Sequence, residues 1–85
     1  MPDRFRTVVR EHRFEKDLRA LMPDAAEADE FVQAAEYLLA RDPNFGLHVE
    51  DEVWFLPMNV IRGMQISLYY AFDDSSVYFL SLIRA

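Results

Sequence analysis

The sequence predicts one α+β domain spanning residues 1–85: two antiparallel helices packed on a small, mainly antiparallel sheet, in the order β-α-α-β-β-β. Three observations carry that expectation. Two apolar and aromatic runs, 64–72 and 77–84, flank the polar Asp73-Asp74-Ser75-Ser76, which is the pattern of a β-hairpin. Two apolar stripes at helical spacing, one from Phe14 and one from Phe31, stand on either side of Pro23. Hydrophobic residues make up 52% of the 85, with seven Phe, four Tyr and one Trp, which is enough for one modest core and too much for a disordered chain.

Each element can be justified in order. Phe5 to Arg10 is short and contains the β-branched pair Val8-Val9, so it reads as a first strand. Phe14, Leu18, Leu21 and Met22 then repeat as one face of a helix that Pro23 stops, with Glu15 and Arg19 placed for a surface pair. Asp24 caps the next helix, with Glu27 three residues on. Phe31, Val32, Ala35, Leu38 and Leu39 form its apolar stripe, and Asp42-Pro43-Asn44 with Gly46 ends it in a turn. Leu47 to Val49 is a candidate short strand before the charged turn Glu50-Asp51-Glu52. Val53 to Leu56 is a strand that Pro57 is expected to close, and Gly63 suggests a bulge.

The hairpin has informative phases. Met64, Ile66, Leu68, Tyr70 and Phe72 share one face, and Gln65, Ser67, Tyr69 and Ala71 the other, so one face is buried and one partly open. The second strand is apolar in both phases, Val77, Phe79 and Ile83 against Tyr78, Leu80 and Leu82, and is expected to be central and covered on both sides.

Composition excludes several chemistries. Without cysteine there is no disulfide framework, thiolate nucleophile or zinc-thiolate site. The start shows no apolar leader region and no run approaches a membrane span, so a cytoplasmic protein without membrane contact is expected. The net charge of −6 is uneven. Residues 1–22 hold six positive and four negative groups, whereas residues 23–85 hold three positive and eleven negative. A phosphate-binding cluster is therefore available only near the N-terminus, where Arg10, His12, Arg13 and Lys16 are candidates for nucleic-acid or partner contact. The carboxylates of Glu50-Asp51-Glu52 and Asp73-Asp74 lie at turns and read as solvated, and His12 and His48 are not spaced as ligands, so no metal and no cofactor is expected.

Three segments carry a family resemblance. They are 14–21 (FEKDLRAL), 40–46 (ARDPNFG), and the pair 68–74 (LYYAFDD) and 77–82 (VYFLSL) with Arg84. In order and spacing the chain resembles the RelE/ParE superfamily of toxins from bacterial toxin–antitoxin modules. The resemblance implies a growth-inhibiting protein that acts on a macromolecular target, either mRNA on the ribosome, cut as an mRNA interferase, or gyrase, and that an antitoxin protein holds inactive. It also implies a catalytic set on the sheet and at the C-terminus, for which Arg62, Arg84 and Tyr69 are the carry-overs, Tyr70 stands beside them, and Gln65 and Ser67 flank them as contacts. The sequence departs from the RNA-cleaving pattern: Ser67 stands where an arginine often precedes the tyrosine, Leu56-Pro57 where another basic residue often stands, and Ala85 follows Arg84 where many members continue. Whether the protein is an endoribonuclease is thus left open, beside the alternative of a catalytically degenerate member serving as a non-enzymatic interaction module. A homodimer is a further expectation, from an edge strand near Pro57 and exposed aromatics.

Overall fold

The structure is a computed structural model that describes residues 5–61 and 64–84. Its elements are β1 (Thr7–Arg10), α1 (His12–Leu21), α2 (Ala25–Arg41), a 3₁₀ turn (Pro43–Phe45), β2 (Leu47–Glu50), β3 (Val53–Ile61), β4 (Met64–Phe72) and β5 (Ser76–Arg84). The five strands form one sheet in the order β1-β5-β4-β3-β2. Every neighbouring pair is antiparallel except β1 and β5, which run parallel because both helices and three strands intervene between them. The expected α+β class holds, and the short strand suspected at Leu47 is complete and adds a fifth strand.

Local chemistry sets the helix limits. The Asp24 carboxylate accepts from the backbone N–H groups of Ala26 at 2.9 Å and Glu27 at 3.1 Å, filling the orphan donors of the first turn of α2. In α1 the apolar face buries Phe14 and Leu18, and in α2 it buries Ala28, Phe31, Val32, Ala35 and Leu39. Both faces lie on one side of the sheet, against Leu56, Ile66, Leu68, Tyr70, Val77, Phe79 and Leu82. The Phe14 and Phe79 rings meet at a centroid distance of 5.2 Å, tilted by 59°, and so join α1 to the middle of the sheet. Glu15, expected to pair with Arg19, instead lies 3.7 Å from the Arg10 guanidinium at the end of β1.

Three expectations change and one falls outside the described residues. The first strand starts at Thr7 rather than Phe5. The strand begun at Val53 does not close at Pro57 but continues to Ile61. It can do so because β2 pairs with β3 only as far as Phe55 at its start, so beyond that point the outer edge of β3 is open and a missing N–H costs no ladder bond. Gly63, expected to mark a bulge, lies outside the described residues. Finally, β5 is central but not covered on both sides. Opposite Tyr69 and Tyr70 its register shifts, Tyr69 pairing with Ser81 and Tyr70 with Phe79, so Leu80 is the extra residue of a β-bulge. Val77 and Phe79 point at the helices before the bulge, Leu82 after it, and Ile83 is exposed.

The edge of β5 is protected by α1 once β1 has ended. Glu11 N–H donates to Phe79 C=O at 3.0 Å, and the Asp17 carboxylate accepts from Leu82 N–H at 3.1 Å. A side chain thus takes the place of a neighbouring strand, which leaves that N–H satisfied and closes the edge to a foreign chain.

Tyr70 ties the segment after α2 to the centre of the sheet. Its hydroxyl donates to Pro43 C=O at 2.6 Å and accepts from Gly46 N–H at 3.1 Å, while its ring is wholly buried. Gly46 has an ordinary backbone (φ −77°), so glycine is needed for room and not for conformation. A Cβ at this place would strike the Tyr70 hydroxyl and come within 2.6 Å of Phe55 C=O. Replacing Tyr70 by Phe should cost about 1–3 kcal/mol, because two backbone groups lose their partner. Gly46→Ala should cost a similar amount through overpacking. The two losses should add to less than their sum in a urea-denaturation double-mutant cycle, because removing the hydroxyl also removes one of the two clashes.

Candidate functional site

The face of the sheet turned away from the helices is the natural place to look, because residues paired across strands share a face. Three rows can be followed. Val9, Tyr78 and Ala71 form one, and Val53, which precedes the Tyr70 partner Trp54, continues it with Glu50 at the outer end. Ser81, Tyr69, Phe55 and Leu47 form the second, and Ile83, Ser67 and Pro57 the third, with Gln65 beyond them on β4. Tyr69 stands at the centre. Its ring stacks on Phe55 at 5.7 Å with 23° between the planes, which fixes an aromatic pair in the middle of the open face.

Three sequence candidates, Tyr69, Gln65 and Ser67, therefore fall together. The others do not join them. Arg84 pairs with Ile66, whose side chain is buried under the helices, so the backbone register assigns Arg84 to the opposite face from Tyr69. That division follows from the bulge at Leu80, which exchanges the inward and outward phases of β5. Arg62 lies outside the described residues. Tyr70 is a packing residue with a bound hydroxyl. Burial pushes its phenol above the usual tyrosine range, helped by the negative charge of Asp42 and opposed by the hydrogen bond from Gly46.

The N-terminal basic group occupies the exposed side of α1 and the end of β1. Arg10, His12, Arg13 and Lys16 are all exposed there, away from the open face. Part of their charge is met internally, by Glu15 for Arg10 and by Asp17 at 3.4 Å for Arg13. Against β1 and α2 lies a separate groove of about 590 Å³, where the Arg41 guanidinium stacks over both Phe5 at 5.1 Å and Tyr37 at 4.8 Å. Among the described residues no group of three or more carboxylates and histidines stands close enough to hold a metal. His48 is engaged otherwise, with its Nε2 at the Asp51 C=O and its ring 5.1 Å from Trp54.

Sequence reasoning missed Phe55 and Ile83, and on the outer strands Leu47 and Val9, as members of the face that holds Tyr69. Phe55 and Ile83 lie in runs that are apolar in both phases, and β1 and β2 are only four residues long, so periodicity alone could not say which way these residues faced. The cross-strand register was the necessary signal.

The turn between β4 and β5 borders this face and is held by Asp73. Its carboxylate accepts from Ser75 N–H at 2.9 Å, Ser76 N–H at 2.8 Å and the Tyr78 hydroxyl at 3.1 Å. These bonds, the backbone N–H groups first, hold its pKa below the usual carboxylate range. A folded-state value below the unfolded one, about 3.9, means that the contribution is complete above that value and fades as pH falls through the folded-state value. Asp73→Asn should therefore flatten the acid limb of a plot of stability against pH, measured by denaturation between neutral and strongly acidic buffer, while leaving the alkaline limb alone.

No family model matches the chain, and neither does any curated protein. Among solved structures, it is similar to a chain in the crystal structure of the toxin-antitoxin complex RelBE2 from Mycobacterium tuberculosis. The identity is 23%, the likeness covers 95% of this chain and 92% of that one, and the TM-score is 0.72. The RelE/ParE-like fold expected from the sequence is thereby shown. No helix among the described residues is long and apolar enough to cross a membrane.

Proposed function

We propose that this chain is the toxin-like component of a toxin–antitoxin pair, inhibiting growth by engaging a macromolecular target and held inactive by an antitoxin protein. The observation that carries the proposal is the fold it shares, over 95% of its length, with a chain of the RelBE2 toxin-antitoxin complex. Translating ribosomes with their mRNA and gyrase are the two targets in view.

One feature favours binding over cleavage. RNA cleavage by 2′-OH attack needs a base, an acid and positive charge beside the transferring phosphate. Tyr69 supplies an aromatic hydroxyl, but no Lys or Arg among the described residues stands on its face, and Arg84 is directed to the other. A stacking platform with no cation among its described neighbours supports recognition of a surface or base more than turnover of a phosphodiester. This also gives weight to a second reading, in which the protein is a non-enzymatic interaction module.

Controlled induction in a bacterial host separates these readings. Growth arrest with full-length transcripts is the expected result, and blocked supercoiling by the purified protein would then identify gyrase as the target. Arrest with shortened transcripts would establish a nuclease and overturn the preference for binding. Undisturbed growth would leave the interaction module. Tyr69→Ala should weaken target binding about tenfold or more, the usual cost of removing a central aromatic anchor.

A further inference from the structure

Among the described residues the open face carries little charge, in a chain whose net charge is −6. Among the described residues its three rows hold one carboxylate, Glu50, at the outer edge. Its side chains are otherwise aliphatic, aromatic, hydroxyl or amide, and hydrophobic groups stand well out of it: Leu47 is 55% exposed and Ile83 45%. A face made for a phosphate backbone would carry Lys and Arg. One made for a charged protein partner would carry the complementary sign. A face whose described rows hold one carboxylate, and that at the rim, suits a second copy of the same chain, because an isologous contact sets each group against a like surface and the Glu50 of each copy stays at the edge on β2.

We propose that this face is the contact between two copies of the protein, packed sheet to sheet as a sandwich with the helices outside. Its size is sufficient. Three strands of nine residues and two of four, at about 3.3 Å by about 4.8 Å per residue, present roughly 550 Å² of flat face per copy. Two copies together reach the roughly 1,000 Å² that a specific contact requires. A two-fold axis along β4, the middle strand, lays the β2–β3 side of one sheet over the β5 side of the other. Leu47 and Phe55 of one copy then cover Ser81 of its partner, Ile83 covers Pro57, and Ser67 and Tyr69 lie near the axis. The two sheets cross at about 30°, as twisted sheets do when aligned. Such a pair hides the Tyr69–Phe55 stack, so self-association and target binding compete for one surface. The inference goes beyond the toxin-like reading and is tested on the purified protein without reference to growth.

The chain contains no cysteine, so single-cysteine variants report contacts cleanly. S67C, near the axis, should form a disulfide-linked dimer rapidly under mild oxidation. K16C, exposed on α1, should not. By sedimentation the unmodified protein should be dimeric at micromolar concentration, and Ile83→Arg should shift it to monomer, raising the dissociation constant at least tenfold, with an unchanged circular dichroism spectrum and a cooperative melt. A monomer across the accessible range would overturn the proposal. So would a dimer that cross-links through K16C as readily as through S67C, or one that Ile83→Arg leaves intact. Protection of the 64–72 and 80–84 amides by an antitoxin chain or an RNA oligonucleotide, in a protein that stays monomeric alone, would assign the face to that partner and overturn it as well.

Discussion

Between Tyr69 and Tyr70 the pairing of β4 with β5 slips by one residue, and the extra residue, Leu80, divides β5 into two halves of opposite phase. In the first half Val77 and Phe79 enter the core. In the second, Leu82 enters it, Ile83 turns outward and Arg84 is aligned with the buried Ile66. The slip also brings Leu82 N–H to the Asp17 carboxylate, so α1 closes the edge that β1 leaves open. Core composition, edge protection and the face to which Arg84 is assigned all depend on this one bulge. Bulges bend a strand and re-aim its side chains, and this one re-aims the whole terminal segment.

The consequence for function is a separation of charge from aromatic surface. The described arginines and lysine stand on α1, around β1, at the end of α2 and on the helix side of β5, with Arg10 and Arg13 paired to carboxylates. Tyr69, Phe55 and their neighbours occupy the other face without cations among the described residues. A fold shared with a toxin–antitoxin complex thus carries, on its open sheet, a surface suited to apolar contact. Tyr70, one position from Tyr69, belongs to the opposite economy: a buried ring and a hydroxyl spent on Pro43 and Gly46.

Much of the fold was legible because its signals were local. Asp24 announced the start of α2 and the Asp73 turn the final hairpin, each through hydrogen bonds made within a few residues, and Pro23 the end of α1 through the N–H it lacks. The alternation of β4 was legible too, since only one of its phases is apolar throughout. The passage of β3 through Pro57 was not legible, because whether a proline breaks a strand depends on which edge is free, and that is set by the length of β2. Nor was the phase of β5, because both phases are apolar and the bulge that decides between them is defined by a partner strand. The parallel pairing of β1 with β5 joins residues some seventy positions apart and leaves no local trace. The candidate site inherited these gaps: Tyr69, Gln65 and Ser67, from the alternating strand, came together, whereas Arg84, from the ambiguous one, did not join them.

The most direct test concerns the two residues that the bulge sends to opposite faces. In dilute solution, urea denaturation of Leu82→Ala should show a loss of about 2–5 kcal/mol, the cost of a cavity in a packed core. Ile83→Ala should lose less than about 1 kcal/mol, as expected for an exposed position. The reverse order, with Ile83 the costly residue, would mean that β5 runs without its bulge. In that case Arg84 would share the face of Tyr69, and the separation of cations from the aromatic surface would not exist.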